Sequence, residues 1–348
     1  MSTAPIGPTH LRSVPAQRRP EAAPAPELSV VLPVYNEAGN VAPLCERLIP
    51  VLTGITPHWE VLFVDDGSAD ATLDHVRRWH VIEPRIRAVS FSRNFGKEIA
   101  LAAGLDHASG RAVVIMDADL QHPPEVIEAF VQRWREGYVM VYGQRSGREG
   151  ESRVKRGLAR AFYRLFGRLS EVGLPEGAGD FRLIDRRGVE AMRALPERAR
   201  FSKGLYAWIG FRSVGVPFDV EDRRQGASKW SLVKLTRFAF DGLASFSTAP
   251  LRVSTYLGAF ISVCALLYAL VFVARTLLYG IDVPGYPSLI VSVMFFSGIQ
   301  LLSLGVIGEY VGRIFAEVKR RPLYVVAEEV GEAAGPAPSL REERRAVR

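Results

Sequence analysis

Two carboxylates separated by a single residue stand in Val114-Ile115-Met116-Asp117-Ala118-Asp119-Leu120-Gln121, with a carboxamide two residues further on. Hard divalent cations such as Mg2+ or Mn2+ take oxygen ligands and are commonly held by one or two carboxylates together with substrate phosphates. Two neighbouring carboxylates that both stay ionised also call for a compensating cation. Asp-x-Asp by itself is equally a turn or a helix cap ahead of Pro123, since Asp suits both. Its position is what gives this pair weight: it ends an apolar run that reads as a buried strand.

Three more polar clusters follow apolar runs in the same way. They are Val34-Tyr35-Asn36-Glu37, Asp65-Asp66-Gly67-Ser68 and Ser92-Arg93-Asn94-Phe95-Gly96-Lys97. Carboxylates in the first two suit hydrogen bonds from a base or ribose, and Tyr35 suits covering a ring. Lys97 and Arg93 offer positive charge to a diphosphate. Taken singly, Asp-Gly-Ser is a turn, Asn-Phe-Gly a loop and Lys97 a solvated helix start. Four such clusters on one edge make a site.

That edge follows from the elements between them. Leu28 to Pro33, Glu60 to Asp65, Ile86 to Phe91, Ala112 to Asp117 and Tyr138 to Gly143 are nearly continuous in Val, Ile, Leu and Phe, as strands covered on both faces should be. Helical patterns fill the gaps at about Ala38–Thr53, Ala71–Val81, Gly96–Ala108 and Pro124–Glu136, the last with Pro at its start and Gly137 at its exit. Alternating strands and helices imply an α/β fold with a mainly parallel sheet and helices on both faces. In such sheets ligands bind beyond the carboxyl ends of the strands, where all four clusters fall.

The remaining features set the surroundings. Charge is +7, from 44 Lys and Arg against 37 Asp and Glu, which alone would fit nucleic acid, an anionic membrane or phosphate-rich substrates. Cys45 and Cys264 lie far apart and match no metal-ligand spacing, which fits a reducing compartment. Residues 1–27 and the end after about Glu328 have little to bury and read as disordered tails. Ser254 to Ala274 and Ser288 to Gly308 are apolar stretches of about 20 residues each, enough to cross a bilayer core. Lys and Arg gather before the first (Arg223, Arg224, Lys229, Lys234, Arg237, Arg252) and after the second (Arg313, Lys319, Arg320, Arg321), and Tyr279 to Pro287 has none. Both termini are therefore expected in the cytoplasm with a short external hairpin, Arg275 snorkelling to the far interface. The membrane accounts for the basic charge, so no nucleic-acid partner is expected. Apolar positions at spacings of three and four in Ser231 to Pro250 suggest an amphipathic interfacial helix or one packed on the soluble domain. The expected organisation is thus a tail at 1–27, a catalytic domain at 28–229, a juxtamembrane helix at 230–251, spans at 252–278 and 286–312, and a cytoplasmic tail at 313–348.

The ordered set Leu32-Pro33-Val34-Tyr35-Asn36-Glu37, Val64-Asp65-Asp66-Gly67-Ser68, Ser92-Arg93-Asn94-Phe95-Gly96-Lys97-Glu98 and Asp117-Ala118-Asp119-Leu120-Gln121-His122-Pro123-Pro124 resembles glycosyltransferase family 2. The closer likeness is to its polyprenyl-phosphate branch, the dolichol-phosphate mannosyltransferases and bacterial undecaprenyl-phosphate glucosyl and formamido-arabinosyl transferases. Gly179-Asp180-Phe181-Arg182-Leu183, Arg223-Arg224-Gln225-Gly226-Ala227-Ser228-Lys229-Trp230 and the paired spans belong to the same likeness, which covers about Leu28 to Val326. It implies a Rossmann-like GT-A domain binding a UDP- or GDP-linked sugar. It implies donor contacts at Pro33, Tyr35, Glu37, Asp65 or Asp66, Lys97 and Ala118, and a Mg2+ or Mn2+ ion with the diphosphate at Asp117, Asp119 and Gln121. Arg145 and Arg156 match basic positions that face phosphate, and Arg223, Ser228 and Lys229 fall in a loop closing over donor and acceptor phosphates. Two positions depart from relatives: Glu176-Gly177-Ala178 stand where an acidic residue often precedes Gly179, and Leu158-Ala159-Arg160 where a small hydroxyl residue sometimes follows Lys155-Arg156.

The implied reaction is attack by a lipid monophosphate on the anomeric carbon of the nucleotide sugar, with inversion. Such a phosphate is largely dianionic at neutral pH and needs little help from a base; Asp180 is the candidate base if one acts, or a group orienting Arg182 or the sugar. Small residues Gly298, Ser303, Gly305 and Gly308 offer a surface through which spans of several chains would pack as a homo-oligomer. The rival readings are a processive polysaccharide synthase, for which Gln132-Arg133-Trp134 has the wrong spacing, and a non-catalytic membrane scaffold or flippase partner, against which the intact Asp117, Asp119 and Lys97 argue.

Overall fold

The computed structural model describes residues 25–145, 178–195, 197–198, 200–219, 249–279 and 285–331. Arg156, Glu176, Arg223, Ser228 and Lys229, the segment 158–160 and the expected interfacial helix up to residue 248 lie outside them.

Four strands form the centre: β1 (Leu28–Val34), β2 (Trp59–Asp65), β3 (Ile86–Phe91) and β4 (Ala112–Ile115). They are joined by helices α1 (Ala38–Ile55), α2 (Thr72–Ile82) and α3 (Lys97–His107), and followed by α4 (Val126–Arg135). Then come β5 (Met140–Arg145), β6 (Ala178–Asp185), α5 (Arg186–Ala194), α6 (Ser202–Trp208) and β7 (Ser213–Phe218). Long helices α7 (Ala249–Tyr279) and α8 (Tyr286–Val318) precede a last strand, β8 (Val326–Val330).

The sheet order is β7-β5-β6-β4-β1-β2-β3-β8. The centre, β4-β1-β2-β3, is parallel as expected, and β5 pairs β7 in parallel too. β6 runs antiparallel to both β4 and β5, and β8 antiparallel to β3, so the flanks make the sheet mixed. Because β1 sits between β2 and β4, successive crossovers leave it in opposite directions, and a crevice opens beyond its carboxyl end.

Alternation along β1 divides the core. Leu28, Val30, Leu32 and Val34 face α1, α2 and α4, packing with Leu44, Leu48, Leu52, Val76 and Phe130. Val31 faces the other way, with Leu101 and Leu105 of α3, Met192 of α5 and Leu205 of α6. Helix α3 lies close on the sheet, since a Cβ on Gly104 would come 2.1 Å from Val31 Cγ1. That approach fixes the height at which Lys97, the first residue of α3, meets the strand ends.

At the amino ends of the strands Glu60 is buried as an acceptor for Ser29 Oγ (2.6 Å), Ser109 N–H (2.7 Å), Ser109 Oγ (2.7 Å) and Arg87 Nη1 (2.8 Å).

The C-terminal region departs from the expected tail at 313–348. Helix α8 runs on to Val318, and 326–330 is an edge strand of the eight-stranded sheet. The reason lies in long-range partners that no local period reports: Glu328 takes a two-pronged bond from Arg77 (3.0 and 2.6 Å), Tyr324 stacks on Phe91 at 5.0 Å, and Ser92 N–H donates to Val325 O (3.0 Å). Among the described residues one stretch, Phe295–Val318, is long and apolar enough to cross a membrane, with mean hydropathy 1.3 and none of it buried. Leu267, Leu270, Val271, Leu277 and Leu301 are likewise exposed along α7 and α8, more apolar surface than a water-facing helix carries.

Candidate active site

The four sequence clusters do meet at the carboxyl edge. Asn36, in the left-handed region at φ 56°, accepts from Ala69 N–H (2.8 Å) through its side chain, and its own N–H donates to Ser68 Oγ (2.9 Å). The loop after β1 is thereby sewn to the loop after β2. Pro33 pairs with Val64 one residue before β1 ends, Tyr35 projects with 44% of its surface exposed, and Glu37 stands at the N-cap position of α1, its carboxylate accepting from Asn40 Nδ2.

Asp65 and Asp66 are both buried and both engaged within the protein. Asp65 accepts from Ser68 N–H (3.0 Å) and Ser90 Oγ (2.7 Å). Asp66 accepts from Phe95 N–H (2.6 Å) and Gly96 N–H (2.9 Å), holding the loop that leads to Lys97. Burial lifts the Asp66 carboxyl above its ordinary range, opposed by those two backbone donors. Gly67 is required where it stands: its φ is 70°, and a Cβ there would lie 2.6 Å from Arg93 backbone carbon.

Lys97 is the centre of the arrangement. Its Nζ lies 2.6 Å from Asp117 Oδ1 and 3.0 Å from Asp180 Oδ2, so one ammonium joins α3, the end of β4 and β6. Burial alone would raise Asp180, but Lys97 first, then Lys203 and Arg182, hold it well below the usual carboxylate range. A carboxylate held that low is a poor proton acceptor at neutral pH, which favours a positioning role for Asp180 over that of a base. Its Oδ1 is buried with no partner among the described residues. Glu98, the next residue, turns the other way and accepts from Ser202 N–H (2.9 Å) and Ser202 Oγ.

Behind Asp117 sits His122, 2% exposed, whose Nδ1 accepts from Asp117 N–H (3.3 Å). Its ring stacks on Phe181 at 4.8 Å, beside Asp180. Burial pushes the imidazole below its ordinary value, and its Nε2 is buried with no partner among the described residues. Asp119 accepts from Gln121 N–H (3.2 Å), Leu120 between them adopts φ 62°, and Ala118 is buried. Arg145 ends β5, near enough for its charge to act on His122. Arg182 is buried over the Tyr206 ring (3.7 Å) and donates to Gly179 O (2.6 Å), bracing the strand that carries Asp180.

The bonds of Lys97 to Asp180 and of Glu98 to Ser202 escaped the sequence reading, because they span 83 and 104 residues and follow no local period. The one signal was Lys97-Glu98 side by side at a helix start. Trp134 has a structural task, donating to Asp185 Oδ2 (2.7 Å), so Gln132-Arg133-Trp134 belongs to the packing of α4.

Among the described residues no group of three or more His, Cys, Asp or Glu is arranged to hold a metal ion. The chemistry of the edge nonetheless fits a hard divalent cation: Asp117, Asp119 and Gln121 supply oxygen, Asp117 and Asp180 already share one cation, and substrate phosphates complete such shells.

A doubly wound sheet whose carboxyl edge gathers acids, an exposed aromatic and a bridging lysine is built to take a ligand beyond the strand ends. The family model "Glycosyl transferase family 2" matches residues 29–193, and "GtrB C-terminal hairpin" matches 249–314. The chain is 52% identical to the uncharacterized glycosyltransferase sll0501 of Synechocystis over 87% of this chain and 95% of that protein. It is 44% identical to the SfII prophage-derived bactoprenol glucosyl transferase of Shigella flexneri, over 86% and 97%. A solved glucosyl-3-phosphoglycerate synthase from Mycobacterium tuberculosis, with Mn2+ and UDP, covers 63% of this chain and 78% of its own at 22% identity and a TM-score of 0.42. The chain belongs to glycosyltransferase family 2, and its C-terminal hairpin associates it with a membrane.

Proposed function

We propose that this protein transfers a sugar, with inversion, from a UDP- or GDP-linked donor to a polyprenyl phosphate at the cytoplasmic face of the membrane. The observation that carries the reading is the carboxyl edge, Asp117 and Asp180 clasping Lys97, on a chain that also carries an apolar hairpin at 249–314. The likeness to a protein named bactoprenol glucosyl transferase, along nearly the whole of both chains, supports the lipid acceptor and makes glucose the first sugar to test.

Tyr35, exposed beside Pro33, covers the base, and Glu37 with Asp65 or Asp66 accepts from base or ribose through lone pairs left over from internal bonds. Asp117, Asp119 and Gln121 would hold Mg2+ or Mn2+, which would supply Lewis-acid stabilisation of the leaving diphosphate. Lys97 and Arg145 neutralise phosphate charge. The acceptor phosphate arrives already ionised, so the residues supply orientation and charge rather than proton removal. Arg156, Arg223, Ser228 and Lys229, outside the described residues, would complete the acceptor side.

The anchor has a physical purpose. A long isoprenoid remains in the bilayer, and tethering the catalytic domain beside it raises the effective concentration of its phosphate. Helices α7 and α8 are read as two spans with both termini cytoplasmic, consistent with Lys and Arg gathered beyond their ends. The test is incubation of purified protein with polyprenyl phosphate, metal and a panel of labelled nucleotide sugars. A polyprenyl-phosphate sugar is the expected product; free polysaccharide, or no lipid-linked sugar from any donor, would overturn the reading.

A further inference from the structure

Lys97 has two anionic partners in a site that also has to accept a divalent cation. Its backbone is fixed from three sides: Gly96, at φ 102°, is held by Asp66; α3 rests close on Val31; and Glu98 is pinned to Ser202. The side chain alone is free to move, with 45% of it exposed, whereas those of Asp117 and Asp180 are 25% and 15% exposed. Lys97 bridges Asp117 and Asp180, and Lys203 and Arg182 also act on Asp180, so a divalent cation taken up at Asp117 and Asp119 leaves Asp180 compensated without expelling the lysine from the site. A donor diphosphate would add negative charge for an ammonium released from Asp117 to meet.

We propose that Lys97 is a built-in place-holder cation: its ammonium clasps Asp117 to Asp180 until a divalent metal takes over Asp117, and then turns to the donor diphosphate while keeping Asp180 in place. This rests on the metal-dependent reading above, and makes Lys97 a positioning residue whose first partner is the metal site rather than the donor. Without it the two carboxylates would repel and separate; with it they are preorganised, and the metal has to compete for one of them.

The competition gives the proposal a signature that structural damage cannot imitate. In full-length protein purified in detergent, without donor, Mn2+ binding is measured by electron paramagnetic resonance. Lys97→Met is expected to bind Mn2+ more tightly than wild type, by about tenfold or more, because a unit charge a few ångströms away no longer competes. The same variant loses glycosyl transfer and raises the donor KM. Lys97→Arg, which keeps the charge, is expected to bind Mn2+ as wild type does. Unchanged or weaker Mn2+ binding by Lys97→Met would overturn the proposal. Should that variant not fold, wild-type protein supplies the second measurement: acylation of Lys97 by an amine reagent, read by peptide mass spectrometry, should rise on saturation with Mn2+, and a constant or falling yield overturns the idea. If wild type binds no Mn2+, the metal-dependent function itself fails; if it binds Mn2+ and neither signature is seen, only the role of Lys97 fails.

Discussion

At the amino ends of β1, β2 and β3, Glu60 accepts four hydrogen bonds and pairs with Arg87, each side chain 5% exposed. At the carboxyl edge of the same sheet, Asp117 and Asp180 share a half-exposed Lys97, and Asp180 Oδ1 has no partner among the described residues. Both are ionic clusters tied to one set of strands, yet they are spent differently. The first has its carboxylate saturated by backbone, hydroxyl and guanidinium, leaving nothing to offer a ligand. The second keeps one carboxylate oxygen without a protein partner among the described residues and shares its acids through a half-exposed ammonium. A carboxylate saturated within the protein holds the fold, whereas one that shares a half-exposed cation at the carboxyl edge keeps capacity for a ligand.

The contrast is breakable by substitution. Asp117→Asn is expected to lower kcat by about 10²–10³-fold or more, the scale of losing one preorganised electrostatic contact, with the thermal midpoint unchanged or raised. Appreciable turnover, or a fall in the midpoint, would show that Asp117 is structural after all. Glu60→Ala should do the reverse, costing about 3–5 kcal/mol by leaving Arg87 buried and unpaired, while turnover per folded molecule survives in the cold. A thermal melt alongside a glycolipid assay separates the two.

The strap after α8 gives a graded version of the same test. Tyr324→Ala should cost about 2 kcal/mol through lost burial and stacking on Phe91, and raise the donor KM, because Phe91 in turn meets Phe95 edge-on in the loop that carries Lys97. Arg77→Ala, removing a half-exposed pair with Glu328, should cost about 1 kcal/mol or less. Equal losses from the two would mean that β8, rather than the aromatic stack, braces the loop.

The smallest effect concerns Glu98, whose carboxyl is raised by burial first and by Asp180 second. A raised acid contributes stability below its ordinary 4.5 and loses it as pH rises through the folded value. Glu98→Gln, which still accepts from Ser202, should therefore melt higher than wild type at pH 7–8, and the gap should close below pH 4.5. A gap that does not depend on pH would remove the electrostatic account.

Much of this was legible in the chain itself. Runs of Val, Ile, Leu and Phe ending in polar clusters predicted β1 to β4 within two residues and put Asp65, Asp66, Lys97, Asp117 and Asp119 on one edge, since strand direction and crossover are local consequences of the pattern. β6, β7 and β8 were missed. β7 is short and largely half-exposed, and β8, Val-Ala-Glu-Glu-Val, reads as a tail until Arg77 and Phe91 are beside it.

The alternation of elements, the polar identity of the strand ends and the apolar hairpin are written locally in the chain, because each depends on residues near one another. That Lys97 clasps Asp117 to Asp180, that Asp65 and Asp66 hold the loops around them, and that the chain returns from α8 to close the sheet appear first in three dimensions. Those contacts join residues tens to hundreds of positions apart, and their energies exist only once the intervening chain has folded to bring the partners within a few ångströms.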